Sequence, residues 1–152
     1  MLWDIGSGCG SIAIEWMRGA PEARAVGIEP NAERRKMAME NAFVLGTPAL
    51  KLVDGIAPAA LDDMPEPDAV FVGGGLTVET AEKCLGALKP HGRLVANAVT
   101  LESEAVLGEL QQLHGGELVR ISAQMAKPVG SYRGWHPAMP VTQWSIAKGG
   151  TG

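Results

Sequence analysis

Met1-Leu2-Trp3-Asp4-Ile5-Gly6-Ser7-Gly8-Cys9-Gly10-Ser11-Ile12-Ala13-Ile14-Glu15-Trp16 reads as an apolar strand, a glycine turn and the start of a helix. Gly6, Gly8 and Gly10 let the backbone turn sharply and leave no Cβ between it and a ligand, and Ser11 is placed to cap the helix. A helix that begins this way offers bare N–H groups to a carboxylate or phosphate. The dinucleotide fingerprint G-x-G-x-x-G would put its third glycine at Ser11, so the pattern here is D-x-G-x-G-x-G instead. Ala25-Val26-Gly27-Ile28-Glu29 adds a second apolar run ending in an acid 19 residues past Gly10. A second strand would present that carboxylate to the hydroxyls of a ribose. A nicotinamide-dependent oxidoreductase would share both features, and the serine in place of the third glycine argues against it.

The chain has 152 residues, 46% of them apolar, which suffices for one domain with a buried core and leaves no room for a second. It contains no run of about 18 apolar residues and no charged-then-apolar leader, so neither a membrane span nor export is expected and the chain reads as cytoplasmic. Cys9 and Cys84 have no ligand-like spacing, and His91, His114 and His136 are scattered; reduced thiols and no metal are the expectation. All 17 acids lie at or before Glu117, so the chain to that point carries −8, while Arg120, Lys127, Arg133 and Lys148 give the remainder +4. That basic end is either a solvated face or a match for a small polyanionic substrate. Seven aromatic residues and little clustering of cations speak against nucleic acid.

Taken in order, the chain alternates strands and helices. After a helix from Ser11 to about Arg18, Pro30-Asn31 opens a long helix to about Leu45, with Met37, Ala38, Asn41-Ala42 and Leu45 on its inner face and Glu33, Arg34, Arg35, Lys36 and Glu40 facing water. Leu50 to Val53 is a third strand, and the following Asp54-Gly55-Ile56-Ala57-Pro58 turn lies beside the first loop, where it brackets an adenine or is a plain connection. Asp68 to Val72 is a fourth strand, ended by Gly73-Gly74-Gly75. Three glycines at the carboxyl end of a central strand suggest that something large approaches the backbone there, against the alternative of a flexible link. A helix from about Thr77 to Leu88 leads to strand five, Arg93 to Val99. Thr100 and Ser103 then stand as helix caps or site residues ahead of a helix to about His114. Glu117 to Gln124 and Val141 to Ala147 are strands six and seven. Between them Lys127 to Pro140, with Tyr132, Arg133, Trp135 and His136, reads as a long functional loop, or as an interface. The expected architecture is α/β, a Rossmann-like, seven-stranded, mostly parallel sheet whose last strand is antiparallel. Residues 1–148 form the domain and 149–152 a frayed, disordered tail. The first strand has almost no lead-in, as if the domain lacked a covering element that precedes it.

The opening motif resembles the first motif of class I S-adenosylmethionine (SAM)-dependent methyltransferases. More narrowly, residues 2 to 17, Ala69-Val70-Phe71-Val72-Gly73-Gly74-Gly75, residues 92 to 104 (Gly-Arg-Leu-Val-Ala-Asn-Ala-Val-Thr-Leu-Glu-Ser-Glu) and Pro137-Ala138-Met139-Pro140-Val141-Thr142-Gln143-Trp144 resemble the decarboxylating precorrin methyltransferases of cobalamin biosynthesis. The likeness is to the C-terminal half of fused, two-domain members more than to the short stand-alone form.

That resemblance implies SAM as cofactor, methylation of carbon 15 of a precorrin tetrapyrrole, loss of carbon dioxide from an acetate side chain, a homotetramer, and fusion to a second methyltransferase domain. A methyltransferase acting on another small molecule remains the alternative. The cofactor site it implies comprises Asp4, Gly6, Ser7, Gly8, Cys9, Gly10, Glu29, Ala57 and Gly73. Members read Gly-Asp-Ala-Pro at the adenine turn where this chain has Gly55-Ile56-Ala57-Pro58, so the usual acceptor is missing and Asp54 or a backbone carbonyl is left to replace it. Charge and position place the substrate against Gly74, Gly75, Thr100, Lys127, Tyr132 and Arg133. No acid or base is assigned; Glu102 is the candidate, set against a capping or surface role.

Overall fold

Strand β1 (Leu2–Ile5), buried along its whole length, stands inside the sheet, third of seven strands, in the computed structural model, which describes residues 1–149. The expected frayed tail therefore falls, but for Gly149, outside the described residues. β2 (Ala25–Ile28) and β4 (Ala69–Val72) flank β1 in parallel, with β3 (Lys51–Val53) beyond β2 and β5 (Arg93–Ala98) beyond β4. β9 (Val141–Ala147) runs antiparallel to both β5 and the edge strand β6 (Glu117–Ile121), giving the order β3-β2-β1-β4-β5-β9-β6. This is the α/β architecture the sequence leads one to expect. The chain winds outward from β1 on one side, then crosses to β4 on the other, so the switch point of the sheet lies between the carboxyl ends of β1 and β4.

One segment differs. The expected long loop is a two-stranded hairpin, β7 (Gln124–Val129) and β8 (Tyr132–Pro137), separate from the main sheet, and strand six stops at Ile121 instead of Gln124. The cause is local: Gly130-Ser131 is a two-residue connection, Gly130 has φ +61°, and Val129 pairs with Tyr132 across it. Both strands of an isolated ribbon are edges, so Pro128 and Pro137 are tolerated.

Helices cover the two faces. α3 (Val78–Ala87) and α4 (Leu101–His114) close one core around Trp3, Ile5, Ile28, Val70, Val72, Leu94, Leu107, Leu110 and Trp144. Burial of each such side chain contributes about 1.5–3 kcal/mol, and Trp144 keeps its indole N–H satisfied by donating to the Gly115 carbonyl at 2.8 Å. Cys84 is sealed in the same core, where burial pushes its thiol up to about 12. α1 (Ser11–Arg18) covers Leu2 and Ala25 on the opposite face. α2 (Ala32–Val44) buries only Ala38 and Ala42; Met37 and Leu45, expected on its inner face, are exposed. The stripe is narrow because the helix lies close to the glycine turn: a Cβ on Gly10 would stand 3.0 Å from that of Ala38.

Asn31, Thr77 and Thr100 cap α2, α3 and α4 by accepting from the amides of Arg34, Thr80 and Ser103. Ser11 does not cap α1. The N-cap is Gly10, at φ +82°, with no side-chain cap, and the amide of Ala13 donates instead to the Asp4 carboxylate at 3.2 Å.

Candidate functional site

The turn after β1 is held from beneath and from the side. Asp4, 1% exposed, accepts at Oδ2 from the Ser7 hydroxyl (3.0 Å) and from the Ala13 amide, tying strand, turn and helix together. Burial holds its carboxyl above the usual range, with those two hydrogen bonds opposing the shift. The side chain of Ser7 fits because β2 offers no Cβ at Gly27, where one would lie 2.6 Å from Oγ. Glu29, at the end of β2, is also buried; its Oε2 accepts from the Gly8 amide and its Oε1 from the Asn31 amide, each at 3.0 Å. Each carboxylate oxygen has two lone pairs, so each keeps one for a further donor.

The loops after β1 and β4 meet at the switch point. A Cβ on Gly6 would stand 2.6 Å from the Gly74 amide nitrogen. Part of what approaches the glycine run, then, is the first loop itself. A cavity of about 270 Å³ opens here, lined by Gly6, Glu29, Ile56, Ala57 and Gly73 to Gly75. Across Gly73 and Gly74 it adjoins a second of about 480 Å³, lined by Ser11, Ile12, Phe71, Asn97, Thr100 and Ser103 among others. A larger cavity of about 770 Å³ sits near Met1, Arg24, Ala25 and Lys51, at the opposite ends of the strands. Ligands of open α/β sheets bind at the carboxyl ends, so the pair at the switch point is the candidate site.

The expected residues divide accordingly. Gly6, Glu29, Ala57 and Gly73 to Gly75 line the first cavity, and Gly74 and Thr100 line the second, though the Thr100 hydroxyl is engaged in capping α4. Asp4 and Ser7 lie beneath the turn, Gly10 is buried against Ala38, and Gly8 and Cys9 form the outer part, with the Cys9 carbonyl held by the Asn41 side chain at 3.0 Å; none of these five lines either cavity. Lys127, Tyr132 and Arg133 stand on the exposed hairpin and line neither cavity. Glu102 is exposed on the first turn of α4 and lines neither cavity, while Glu104 binds Arg120 (2.6 Å) and the Thr142 hydroxyl (2.7 Å). Two of the four C-terminal cations are thus structural, since Lys148 donates to the Gly86 and Leu88 carbonyls.

A precorrin methyltransferase domain model matches residues 1–148. The chain belongs to the precorrin methyltransferase family. It is 51% identical to a Sinorhizobium protein named precorrin-6Y C(5,15)-methyltransferase [decarboxylating], over 98% of this chain and 36% of that one. This chain therefore spans little more than a third of the length of that relative. The crystal structure of the C-terminal domain of precorrin-6Y C5,15-methyltransferase from Rhodobacter capsulatus superposes with a TM-score of 0.88 at 45% identity, covering 97% of this chain and 79% of that one. The fold alone extends to a SAM-dependent O-methyltransferase from Thermotoga maritima, with a TM-score of 0.75 at 21% identity over 97% of this chain and 58% of that one.

Whereas its neighbour Arg34 lines the first cavity, Arg35, which sequence reasoning placed in solvent, lines neither but braces the turns that bound the first. Its guanidinium, 19% exposed, grips Asp54 with two bonds (3.0 and 2.7 Å) and also donates to the Glu29 carbonyl at 2.8 Å. It thereby fixes the turns after β2 and β3 relative to each other. Asp54, with one guanidinium bond on each oxygen, is held in place and lines neither cavity, so it is not set to replace the acceptor missing at Ile56. Nothing in the periodicity of α2 distinguishes Arg35 from Arg34 or Lys36; the only signal was the acid placed 19 residues on.

Proposed function

We propose that this chain is the SAM-dependent methyltransferase domain, residues 1–148, that methylates carbon 15 of a precorrin and removes carbon dioxide from an acetate side chain in cobalamin biosynthesis. The observation that carries this reading is the adjacency of the two cavities, which share Gly73 and Gly74, one bounded by the glycine turn and Glu29, the other by the ends of β4 and β5. Bound SAM supplies the methyl group as a sulfonium electrophile, so an electron-rich ring carbon needs no nucleophile from the protein.

The residues present fit that cofactor. Gly6 brings main chain, not a side chain, to the cavity, and Glu29 retains acceptor capacity for two vicinal ribose hydroxyls. Ile56 lines the same cavity and offers an apolar surface to an adenine ring, whose amine is left to a backbone carbonyl. The protein's contribution to methyl transfer is then alignment of two ligands and exclusion of water.

Lys127 and Arg133 have no ion pair among the described residues. We assign them to substrate carboxylates, with Tyr132 against the ring. The hairpin also exposes Met125, Val129 and Trp135, which supports its use in a homo-oligomer, a tetramer. No helix among the described residues is long and apolar enough to cross a membrane, and a cytoplasmic setting with fusion to a second methyltransferase domain completes the proposal.

The test is to incubate the chain with SAM and a metal-free or cobalt-containing precorrin and weigh the product. Gain of a methyl group with loss of carbon dioxide is the expected result; no change in mass with either precorrin, from protein that binds SAM, overturns the substrate assignment. Glu29→Ala should weaken SAM by about tenfold or more. Unchanged affinity would refute the ribose role.

A further inference from the structure

We infer that the side-chain amide of Asn97, oriented by that of Gln143, forms a neutral subsite, in the cavity at the ends of β4 and β5, for the substrate carboxylate that is lost as carbon dioxide. The inference rests on the function proposed above and adds to it which residue meets that group.

Asn97 and Gln143 are directly opposite each other in the antiparallel β5–β9 pair. Alternation along β5 sends Leu94, Ala96 and Ala98 into the α3–α4 core, and Asn97 therefore stands on the other face, as Gln143 does beside Thr142 and Trp144. The two amides bond to each other, Gln143 Nε2 donating to Asn97 Oδ1 at 2.9 Å. That bond uses one of the four N–H hydrogens that the pair carries. Whichever way the two amides are turned, three donors remain, and both side chains are only partly exposed.

Asn97 lines the second cavity with the hydroxyl residues Ser11, Thr100 and Ser103 and with apolar side chains such as Phe71 and Val141. No lysine, arginine or histidine lines it. An amide held in that wall has unused donors and no cation beside it, and an anion is the group that such donors suit.

The chemistry gives the neutrality a purpose. When a carboxylate leaves, the bond from its carbon to the methylene carbon breaks, the electron pair passes into the conjugated macrocycle, and carbon dioxide departs. A proton from solvent then completes a methyl group on the methylene carbon. Negative charge leaves the carboxylate as the bond breaks, so a cation held against it would favour the ground state over the transition state and slow the step. Neutral amides orient the group without that penalty. The cations Lys127 and Arg133, on the hairpin outside this cavity, are left for carboxylates that stay.

The experiment compares wild type with Asn97→Ala, Asn97→Asp and Gln143→Leu, measuring SAM affinity, KM and kcat for the precorrin, and product mass. Wild-type turnover establishes the underlying function first; its absence from SAM-binding protein would count against that function, not against these residues alone. With wild type active, Asn97→Ala is expected to raise KM at least about tenfold and to release product that is methylated but retains its carboxylate, with SAM affinity changed less than about twofold. Asn97→Asp keeps the volume and sets a charge against the carboxylate, so it should lose more. Gln143→Leu, which acts by orienting Asn97, should alter the ratio of decarboxylated to merely methylated product. If Asn97→Ala loses SAM binding through misfolding, Asn97→Asp decides. Wild-type KM and product ratio in a SAM-binding Asn97 variant would overturn the inference.

Discussion

The place where a Cβ on Gly6 would sit is 2.6 Å from the main-chain nitrogen of Gly74, so the loops after β1 and β4 are in contact through backbone alone. Gly6 also has φ +69° and Gly75 φ +70°, but a Cβ on Gly75 would meet nothing within 4 Å. The two positions thus separate the cost of conformation from the cost of contact. Gly75→Ala should lower stability by about 1–2 kcal/mol, the left-handed penalty alone. Gly6→Ala adds a clash with backbone that has nowhere to go, worth about 1–3 kcal/mol more, and should weaken SAM at least about tenfold. Urea unfolding with calorimetric titration checks both; equal effects at the two positions would mean that the Gly6–Gly74 contact contributes nothing.

Arg35 joins the turns after β2 and β3 by holding the Glu29 carbonyl and the Asp54 carboxylate together. Asp54 is 70% exposed, so the ion pair itself is worth about 0.2–1 kcal/mol. Its effect should appear in ligand binding, because it positions Glu29 and the Ile56 turn on either side of one cavity. Arg35→Ala and Asp54→Ala are each expected to weaken SAM about three- to tenfold while costing little in melting temperature. The double variant should lose no more than the worse single one. Additive losses would mean that the two residues act separately.

How far the sequence could be read depended on whether a residue's partners were near in the chain. β1 and β2 declared themselves as short apolar runs, and Glu29 could be placed by counting from Gly10. Thr100 was legible as a cap, and Asn31 and Thr77 as helix starts, because a cap bonds to an amide three residues on. Arg35 was not, since its partner Asp54 belongs to another strand turn and α2 shows the same polar face either way. Ser11 misled because the residue type suits a cap, whereas the buried Asp4 had already taken the amide of Ala13. The hairpin at β7–β8 was hidden by its own exposure: with no buried side there was no alternation of apolar residues to see, and only Gly130-Ser131 marked the turn. Asn97 and Gln143 looked like ordinary strand residues until β9 was laid against β5.

Asp4 is buried, its Oδ1 accepts no hydrogen bond, and burial raises its pKa above the ordinary 3.8. Between the ordinary value and the raised one, the unfolded chain has lost this proton and the folded protein still holds it. Stability must therefore fall as pH rises through that window and level off once Asp4 ionises in the folded state too. Asp4→Asn removes the charge at nearly the same volume and keeps an acceptor for Ser7 and Ala13. The variant should match wild type at low pH and gain on it as pH rises above about 4. Unfolding free energies measured across that range give the difference directly; a difference that does not change with pH would contradict the raised value.

Cys9 and Cys84 are the chain's two thiols, and their surroundings are opposite. Cys9 is exposed on the glycine turn, whereas Cys84 is fully buried with its thiol pushed up to about 12. Because the thiolate is the reactive form, an alkylating agent should modify Cys9 in the folded protein and reach Cys84 only after unfolding. A ligand that closes the turn should slow the first reaction in proportion to occupancy, by about tenfold at ten times its dissociation constant. SAM is expected to protect Cys9 in this way and NADH to leave its rate unchanged. Protection by NADH and none by SAM would assign the turn to a dinucleotide, and with it the Glu29 carboxylate and the whole switch-point cavity.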